Sequence, residues 1–250
     1  MSLIVEREGR VLHLRLNRSE KRNALNTEMC AAIADAVQAA QDDPRTGCIL
    51  LSAAGKAFSA GMDLDEAMHG ADLESVHEDL FTMGVNSLKP IVVSVNGAAL
   101  GGGLGLVAQG HIAIASEEAT FGLTEIRLGL WPFLIYRSVA AALGERRTLE
   151  LSLTGRVFLA QDALNWGLVH QVCPATEAAD RAYAIARDLA QTSPAAIAEG
   201  MRYWRESRNK SWKEAGELAS LLRKKLFASG DLREGYAAFK EKREPHWPSL

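Results

Sequence analysis

The length, composition and charge of the chain restrict the class of protein to which it can belong. Its 250 residues can bury a large core, in one domain or in one domain with a small appendage. Hydrophobic residues make up 48% of the sequence and charged residues 24%, as in an ordinary globular enzyme. The net charge of -3 gives no electrostatic argument for nucleic acid or an anionic membrane as a partner.

The cysteines and the N-terminal sequence favour a reducing compartment. Cys30, Cys48 and Cys173 are odd in number, far apart and without CxxC spacing, which argues against a disulfide framework or a zinc site. The first ten residues carry charges where a signal peptide has its apolar run, so no targeting segment is expected. We therefore predict a cytoplasmic protein with no metal.

Strands and helices alternate in the first half of the sequence, which predicts an α/β fold. In chain order, the predicted elements are a hairpin over residues 3–17 that turns at Gly9 and Arg10, a helix over residues 28–41 capped by Asn26 or Thr27, a buried strand over residues 48–53, a helix over residues 73–88, and a strand from Ile91.

The second half, from residue 134 onward, is predicted to be almost entirely helical. Ser193 is expected to cap a helix whose first turn contains Pro194. Asp231 and Glu234 have the spacing of a capping box for the last helix.

Residues 91–110, "IVVSVNGAALGGGLGLVAQG", combine several glycines with an apolar sequence that carries no charge. A membrane span, a dinucleotide site and a site for a developing negative charge are three possible interpretations. The polar residues Ser94, Asn96 and Gln109, together with the Asn-Gly turn signal, disfavour the membrane span. A buried strand, a turn and a helix in the core of the protein account better for this segment.

The dinucleotide interpretation rests on a G-x-G-x-x-A match formed by Gly103, Gly105 and Ala108. In a Rossmann unit the first glycine follows the strand directly, so that the helix N-terminus reaches the pyrophosphate. Here "NGAAL" lies between the strand and the match. A NAD-dependent dehydrogenase is therefore the less favoured alternative.

The third interpretation is a site that stabilises an enolate. Gly101, Gly102 and Gly103 leave backbone N–H groups bare at the start of a helix, whose dipole adds positive potential there. A second segment, residues 55–66, "GKAFSAGMDLDE", has the same character, with exposed amides near Gly61 and Met62. Two such loops that converge on one carbonyl oxygen would form an oxyanion hole.

Four motifs, "LNRSEKRNALN", "GKAFSAGMDL", "NGAALGGGLGL" and "ATFGLTEIRLGL", occur in an order and at distances that resemble the crotonase family, the enoyl-CoA hydratase/isomerase superfamily. The resemblance covers essentially the whole chain. It implies a superhelix of ββα repeats over residues 1–190 and a helical C-terminal trimerisation region over residues 191–250. It further implies a homotrimer or a dimer of trimers, an acyl-CoA substrate, and no cofactor besides the coenzyme A of that substrate.

The resemblance also implies roles for individual residues. It places the two oxyanion amides on Met62 and Gly102. The other substrate-binding positions that it implies are Arg22, or its neighbour Lys21, and Ala24 in a CoA-binding loop, Ala60, Asp63, Leu64 and Gly101 in the two glycine segments, and Phe239 and Lys242 in the last helix, where they close the CoA site. Asp63 is expected to cap its helix as well. For Lys21 or Arg22 taken alone, solvated charge is the favoured explanation.

The catalytic acids distinguish between reactions. Hydratases of the family carry two glutamates, of which one matches Glu125 and the other matches Gly105 here. Hydration divides its work between two carboxylates, whereas moving a double bond from the 3- to the 2-position needs one base. We therefore favour an isomerase with Glu125 as its base. The alternatives are a hydratase, in which Asp65 or Glu66 replaces the missing acid, and a non-catalytic acyl-CoA binding paralogue.

A bulky segment follows the last motif, where hydratases usually have a glycine-rich turn. Trp131, Phe133, Leu134 and Ile135 predict an apolar wall, which suits a dry pocket, and Phe133 is taken as substrate-binding. An ion pair with Arg127 is the structural alternative for Glu125. Residues 68–80 are expected to cover the acyl end of the substrate.

Overall fold

The computed structural model describes residues 1–69 and 74–250, which form two β-sheets flanked by helices. The strands are β1 (Leu3–Glu8), β2 (Val11–Leu16), β3 (Cys48–Ala53), β4 (Ala57–Ser59), β5 (Ile91–Val95), β6 (Ala98–Leu100), β7 (Ile112–Ser116), β8 (Thr120–Gly122), β9 (Val157–Leu159) and β10 (Gln171–Cys173). The helices are α1 (Thr27–Asp42), α2 (Leu64–Met68), α3 (Glu74–Asn86), α4 (Gly102–Gln109), α5 (Phe133–Leu143), α6 (Glu145–Thr154), α7 (Ala160–Asn165), α8 (Ala178–Ala190), α9 (Pro194–Ser207), α10 (Trp212–Phe227) and α11 (Gly230–Glu241).

The larger sheet has six strands in the order β1-β2-β3-β5-β7-β10. The predicted hairpin β1–β2 is antiparallel and turns at Gly9, whose φ of 55° is a left-handed conformation that suits glycine. The other strands pair in parallel. β5 is buried along its whole length because helices cover both faces of the sheet, which explains its continuous apolar run.

The smaller sheet has four strands in the order β4-β6-β8-β9. Each of β4, β6 and β8 follows within a few residues of a strand of the larger sheet. Helices follow β4 and β6, so that the chain repeats a strand, strand, helix unit. Phe58, Phe121 and Phe158 are buried along this smaller sheet, and the rings of Phe121 and Phe158 stack 5.6 Å apart.

Local sequence signals fix several helix ends. The side chain of Asn26 accepts a hydrogen bond from Met29 N at 3.2 Å, so the predicted cap of α1 is confirmed. Met29, Ile33 and Val37 then recur at i, i+4 and place one face of α1 in the core. Ser193 Oγ accepts from Ala196 N at 3.0 Å, which confirms the predicted cap of α9.

The short strands were not predicted from the sequence. β4, β6 and β8 have three residues each, too few to show an alternating pattern, and β9 and β10 lie in the part that was predicted to be almost entirely helical. That part is also interrupted at Gly144, where φ is 83° and α5 gives way to α6.

The predicted capping box at Asp231 is wrong. The N-cap of α11 is Ser229, whose side chain accepts from Leu232 N at 3.4 Å. Asp231 lies in the first turn, where its carboxylate accepts hydrogen bonds of 2.5 Å from the hydroxyls of Ser193 and Ser249. The C-terminal residues are thereby held against the starts of α9 and α11.

The remaining sequence predictions concern α3, the segment over the acyl end, membrane spans and the domain division. The helix expected over residues 73–88 corresponds to α3, while residues 70–73 of the segment expected to cover the acyl end lie outside the described residues. No helix in the described ranges is both long enough and apolar enough to cross a membrane. The division at residue 190 coincides with the end of α8, which packs on the larger sheet, and stays a prediction.

Candidate active site

The first glycine loop ends β6 and begins α4. Gly101 is the N-cap of α4 with a φ of 51° and a ψ of -122°, a conformation that a side chain would strain. Its N–H donates to the carbonyl of Gly122 at 2.8 Å. Gly102 is the first residue of the helix, so its N–H has no acceptor within the helix and lies at the positive end of the helix dipole.

The second glycine loop lies between β4 and α2. Leu25 N–H donates to Gly61 O at 2.8 Å, and Asp63 N–H donates to Leu25 O at 3.0 Å. These two bonds bracket Met62, whose own N–H has no acceptor among the residues that the structure describes. The loop therefore offers one bare amide, at the position that the sequence predicted.

The two loops touch each other. A β-carbon built on Gly61, where φ is 90°, would lie 2.8 Å from Leu100 O and 3.3 Å from Gly102 N. Such distances permit only glycine at position 61. Met62 and Gly102 consequently lie at the point where the loops meet, and their N–H groups are suited to bind one carbonyl oxygen.

Glu125 lies against the first loop. It begins a short 3-10 helix, Glu125–Leu128, that follows β8. A β-carbon built on Gly101 would lie 3.0 Å from Glu125 Oε1 and 3.4 Å from its Cδ. The carboxylate therefore packs directly on the backbone beside the Gly102 amide.

One carboxylate oxygen of Glu125 is shielded from solvent. Its Oε2 is buried and has no hydrogen-bond partner within the described chain. No ion pair joins it to Arg127 among the described residues, so the structural alternative is not supported. Burial raises the pKa of Glu125 above its ordinary value, against the opposing effect of a hydrogen bond from its own backbone N–H.

The position of the second family glutamate is filled by other side chains. A β-carbon built on Gly105 would lie 2.9 Å from Ile135 Cβ and 3.0 Å from Phe81 Cε1. Ile135 is 3% exposed and Phe81 is 7% exposed. Leu25 Cδ1 and Phe81 Cζ also lie 3.1 Å and 3.2 Å from a β-carbon built on Gly102. The surroundings of the amides are thus apolar.

The CoA-binding loop predicted at Arg22 and Ala24 pairs with the second glycine loop. Ala60 N–H donates to Arg22 O at 2.9 Å. Arg22 and Asn23 have left-handed φ angles of 52° and 53°, which turn the chain sharply. Ala24 is half-buried, and the Arg22 side chain is exposed and available to a phosphate.

Two residues that position this loop were missed by sequence reasoning. Asn23 is fully buried, and its Nδ2 donates to Ala54 O and Ala57 O, each at 2.8 Å. Arg18 Nη1 donates to Ala24 O at 2.7 Å. Asparagine tolerates left-handed backbone, so the Arg-Asn step in "EKRNALN" was the one local signal for this turn.

Asp63 supports the second glycine loop. Its side chain accepts from Glu66 N at 3.3 Å, which confirms the predicted cap of α2, and it forms a 2.9 Å ion pair with Arg18. Burial alone would raise the pKa of Asp63, but the bonds from Arg18 and Glu66 lower it below its ordinary value. Asp63 therefore acts as a charged anchor for the loop.

The remaining predicted residues are not brought together at the glycine loops. Of the predicted apolar wall, only Ile135 is fully buried, while Phe133 is 79% and Leu134 is 48% exposed, and Trp131 stacks on Tyr136. Leu64, on α2, is 42% exposed. Phe239 is 80% exposed and Lys242 follows α11 at its exposed end.

Comparisons with known proteins assign the family. The family model described as enoyl-CoA hydratase/isomerase matches residues 6–249. The chain belongs to this family. An enoyl-CoA hydratase of Mycobacterium tuberculosis is 32% identical over 98% of this chain and 95% of its own length. A mevalonyl-coenzyme A hydratase of Aspergillus fumigatus is 33% identical over 95% of this chain and 91% of its own length.

The fold of this enoyl-CoA hydratase/isomerase family member agrees with solved structures. The crystal structure of an enoyl-CoA hydratase from Bacillus anthracis superposes with a TM-score of 0.94 over 100% of both chains, at 27% identity. This confirms the predicted crotonase-like superhelix with helices at its C-terminal end. In the described ranges, no group of three or more histidine, cysteine or acidic side chains is placed to hold a metal ion.

Proposed function

We propose that this acyl-CoA enzyme converts a 3-enoyl-CoA into the trans-2-enoyl-CoA. The proposal rests on what occupies the two positions at which hydratases of the family have glutamates. Glu125 has a carboxylate with one buried oxygen beside the glycine loops, whereas Ile135 and Phe81 fill the space beside Gly105. One base is sufficient to shift the double bond, whereas hydration uses a second carboxylate, which position 105 does not supply.

The proposed reaction uses one proton and no added atom. The Glu125 carboxylate removes a proton from C2, and the electron pair moves into the thioester, whose oxygen becomes the enolate oxygen. The amides of Met62 and Gly102 stabilise that charge. Glu125 then returns the proton to C4, so that the 3,4 double bond becomes a 2,3 double bond. The raised pKa of Glu125 suits an acid that must also give its proton back.

The same proposal includes how the substrate is held. Arg22, Ala24, Ala60, Asp63, Leu64 and Gly101 are assigned to the coenzyme A thioester. Phe133 is assigned to the apolar wall of the substrate pocket, and Phe239 and Lys242 are assigned to closing the site. Because these last three side chains are exposed in a single chain, we assign their role to an assembled homotrimer or dimer of trimers. Trp212 and Phe227 are 97% and 61% exposed on α10, which supports further apolar burial in an assembly. No cofactor besides coenzyme A is proposed.

Hydration of a 2-enoyl-CoA is the second candidate, favoured by the names of the relatives. It requires a replacement for the missing acid. The side chain of Asp65 is 81% exposed and pairs with Lys21, and Glu66 Oε2 accepts a hydrogen bond from Thr27 N at 2.7 Å. Neither arrangement favours a carboxylate that activates water beside Gly102.

A non-catalytic acyl-CoA binding protein is the third candidate. A buried carboxylate oxygen without a partner, such as Oε2 of Glu125, destabilises a fold, and such groups concentrate at functional sites. This argues for a catalytic use of Glu125.

We infer a cytoplasmic location for the enzyme, supported by three buried cysteines that are free thiols.

Initial rates test the proposal. The parent enzyme and Glu125→Gln are each supplied with a 3-enoyl-CoA, and formation of the conjugated thioester is followed by its absorbance. The proposal expects conversion by the parent and a loss of about 10²–10⁴-fold in Glu125→Gln, with thioester binding retained. A parent enzyme that binds the thioester without converting it contradicts the isomerase and supports the binding paralogue.

A further inference from the structure

A buried histidine near the candidate site has a ring nitrogen without a partner. His77, in α3, is only 7% exposed, and its Nε2 has no hydrogen-bond partner within the described part of the chain. Leaving a polar atom buried and unpaired costs free energy, and native proteins rarely do so without a reason. A ligand that supplies the missing hydrogen bond would remove this cost.

The place of His77 relative to the amides follows from α3. His77 and Phe81 are four residues apart and therefore share one face of the helix, where their ring centroids are 5.7 Å apart. Phe81 is the residue that packs against Gly102 and Gly105. Phe81 thus neighbours both His77 and the glycine loop that carries the Gly102 amide. His77 is consequently placed to meet the acyl chain beyond the reacting carbons, not the thioester.

A charged residue, Glu66, acts electrostatically on His77. Glu66 also accepts a hydrogen bond from Thr27 N at 2.7 Å. The hydroxyl of Thr27 is a second buried group with no partner among the described residues. Burial lowers the pKa of His77, and the opposing charge of Glu66 does not overcome this effect. A neutral imidazole both donates and accepts hydrogen bonds.

We propose that His77 binds a hydroxyl group carried on the acyl chain beyond the reacting carbons, so that the preferred substrates are hydroxylated acyl-CoA thioesters. A hydroxyl both donates and accepts, so it can pair with Nε2 of the neutral imidazole whether or not that nitrogen carries the proton. A plain hydrocarbon chain leaves this buried nitrogen unpaired. The inference rests on the acyl-CoA site of the proposed function and adds to it the class of acyl group.

Binding of saturated thioesters tests this inference separately from the reaction. Hexanoyl-CoA, 5-hydroxyhexanoyl-CoA and 6-hydroxyhexanoyl-CoA have no double bond to move, so calorimetry reports their affinity alone. One gained hydrogen bond predicts about five- to tenfold tighter binding of at least one hydroxylated thioester. Addition of that hydroxylated thioester is also expected to shift the ring resonances of His77 in nuclear magnetic resonance spectra.

Variants of α3 then assign the preference. His77→Phe keeps a ring but no polar atom and should bind all three thioesters equally, whereas His77→Gln should keep part of the preference. Asn86→Ser, at the exposed end of the same helix and outside residues 68–80, is the matched control and should behave as the parent. Equal affinity of the parent for the three thioesters, or an unchanged preference in His77→Phe, overturns the inference.

The outcomes also separate this inference from the proposed function. Hexanoyl-CoA binding without a hydroxyl preference rejects the role of His77 and leaves the acyl-CoA site in place. Failure of all three thioesters to bind rejects both. The three affinities of the parent protein decide between these outcomes even where His77→Phe does not fold.

Discussion

Ile135 occupies the space that any side chain at position 105 would need. A β-carbon on Gly105 would lie 2.9 Å from Ile135 Cβ and closer still to its Cγ2. Ile135 is itself buried in the first turns of α5, so it has little room to move. The packing of α4 against α5 therefore leaves no room for the second family glutamate. Replacing Gly105 alone would not restore it.

This packing predicts the result of restoring the glutamate. Gly105→Glu forces a carboxylate against Ile135 and Phe81, and we expect a loss of stability of about 1–3 kcal/mol from overpacking. Thermal or urea denaturation measures the loss. No hydratase activity should appear in this variant. A Gly105→Glu protein as stable as the parent would show that the space beside position 105 is open.

A double variant tests whether Ile135 is the side chain that blocks position 105. Gly105→Glu combined with Ile135→Ala removes the branched side chain that blocks the position. We expect part of the lost stability to return, and hydration of a 2-enoyl-CoA to become measurable, because two carboxylates then flank the site. Ile135→Ala alone is the control and should gain no hydratase activity.

Replacement of the proposed base should separate activity from stability. Glu125→Gln is expected to lower isomerase activity by about 10²–10⁴-fold. At neutral pH the variant should also unfold at a higher temperature, since it removes a negative charge whose Oε2 is buried without a partner among the described residues. Arg127→Gln, an exposed change in the same 3-10 helix, is the matched control. A Glu125→Gln enzyme of normal activity would exclude Glu125 as the base.

The pH dependence of the rate should report the pKa of Glu125. The base must be ionised in the free enzyme, so kcat/KM is expected to rise with pH through a pKa above the ordinary glutamate value, in the direction that burial sets. A kcat/KM profile from acid to neutral pH measures it. A midpoint at or below the ordinary value would argue against a buried base.

The same pKa shift makes stability depend on pH. A carboxyl whose pKa is raised in the folded state binds its proton more tightly there than in the unfolded chain. Its contribution to stability is fully present below the unfolded pKa and is lost as pH rises through the folded pKa. Across that window the parent should lose stability relative to Glu125→Gln, which denaturation at a series of pH values detects. Parallel curves would contradict the raised pKa.

Two variants distinguish the backbone N–H of Met62 from its side chain. Met62→Pro deletes the N–H, while Met62→Ala keeps it and shortens only the side chain. Loss of one oxyanion donor predicts a fall in kcat of about 10²–10³-fold for proline, with the alanine variant close to the parent. Circular dichroism checks that the proline variant is still folded. Equal activity of the two variants would exclude this amide as a donor.

Much of the larger sheet was predictable because its strands are long apolar runs. The hairpin β1–β2, the buried β3 and β5, and the cap at Asn26 follow from periodicity and capping chemistry. The smaller sheet was not predictable, since three-residue strands gain their identity from pairing with distant segments. The capping box at Asp231 failed because tertiary bonds to Ser193 and Ser249 took its carboxylate.

The conformation of the two glycine loops was predictable from the sequence. The glycines that mark Met62 and Gly102 are visible in the sequence, since close approach and left-handed φ demand glycine. The neighbours of Gly105 were not visible, because Phe81 and Ile135 reach it from two other helices. The bonds of Asn23 to Ala54 O and Ala57 O join segments that are far apart in sequence, and the bond of Arg18 to Ala24 O depends on the turn between these two residues, so the sequence showed neither.

In the proposed reaction Glu125 alone moves a proton, and no water is added to the substrate. Mass spectrometry of the products that the parent enzyme forms from a 3-enoyl-CoA is the sharpest test of this mechanism. We expect a conjugated 2-enoyl-CoA of unchanged mass, and no species that has gained the mass of water. A 3-hydroxyacyl-CoA among the products would show that hydration proceeds with glycine at position 105, and it would refute the one-base mechanism.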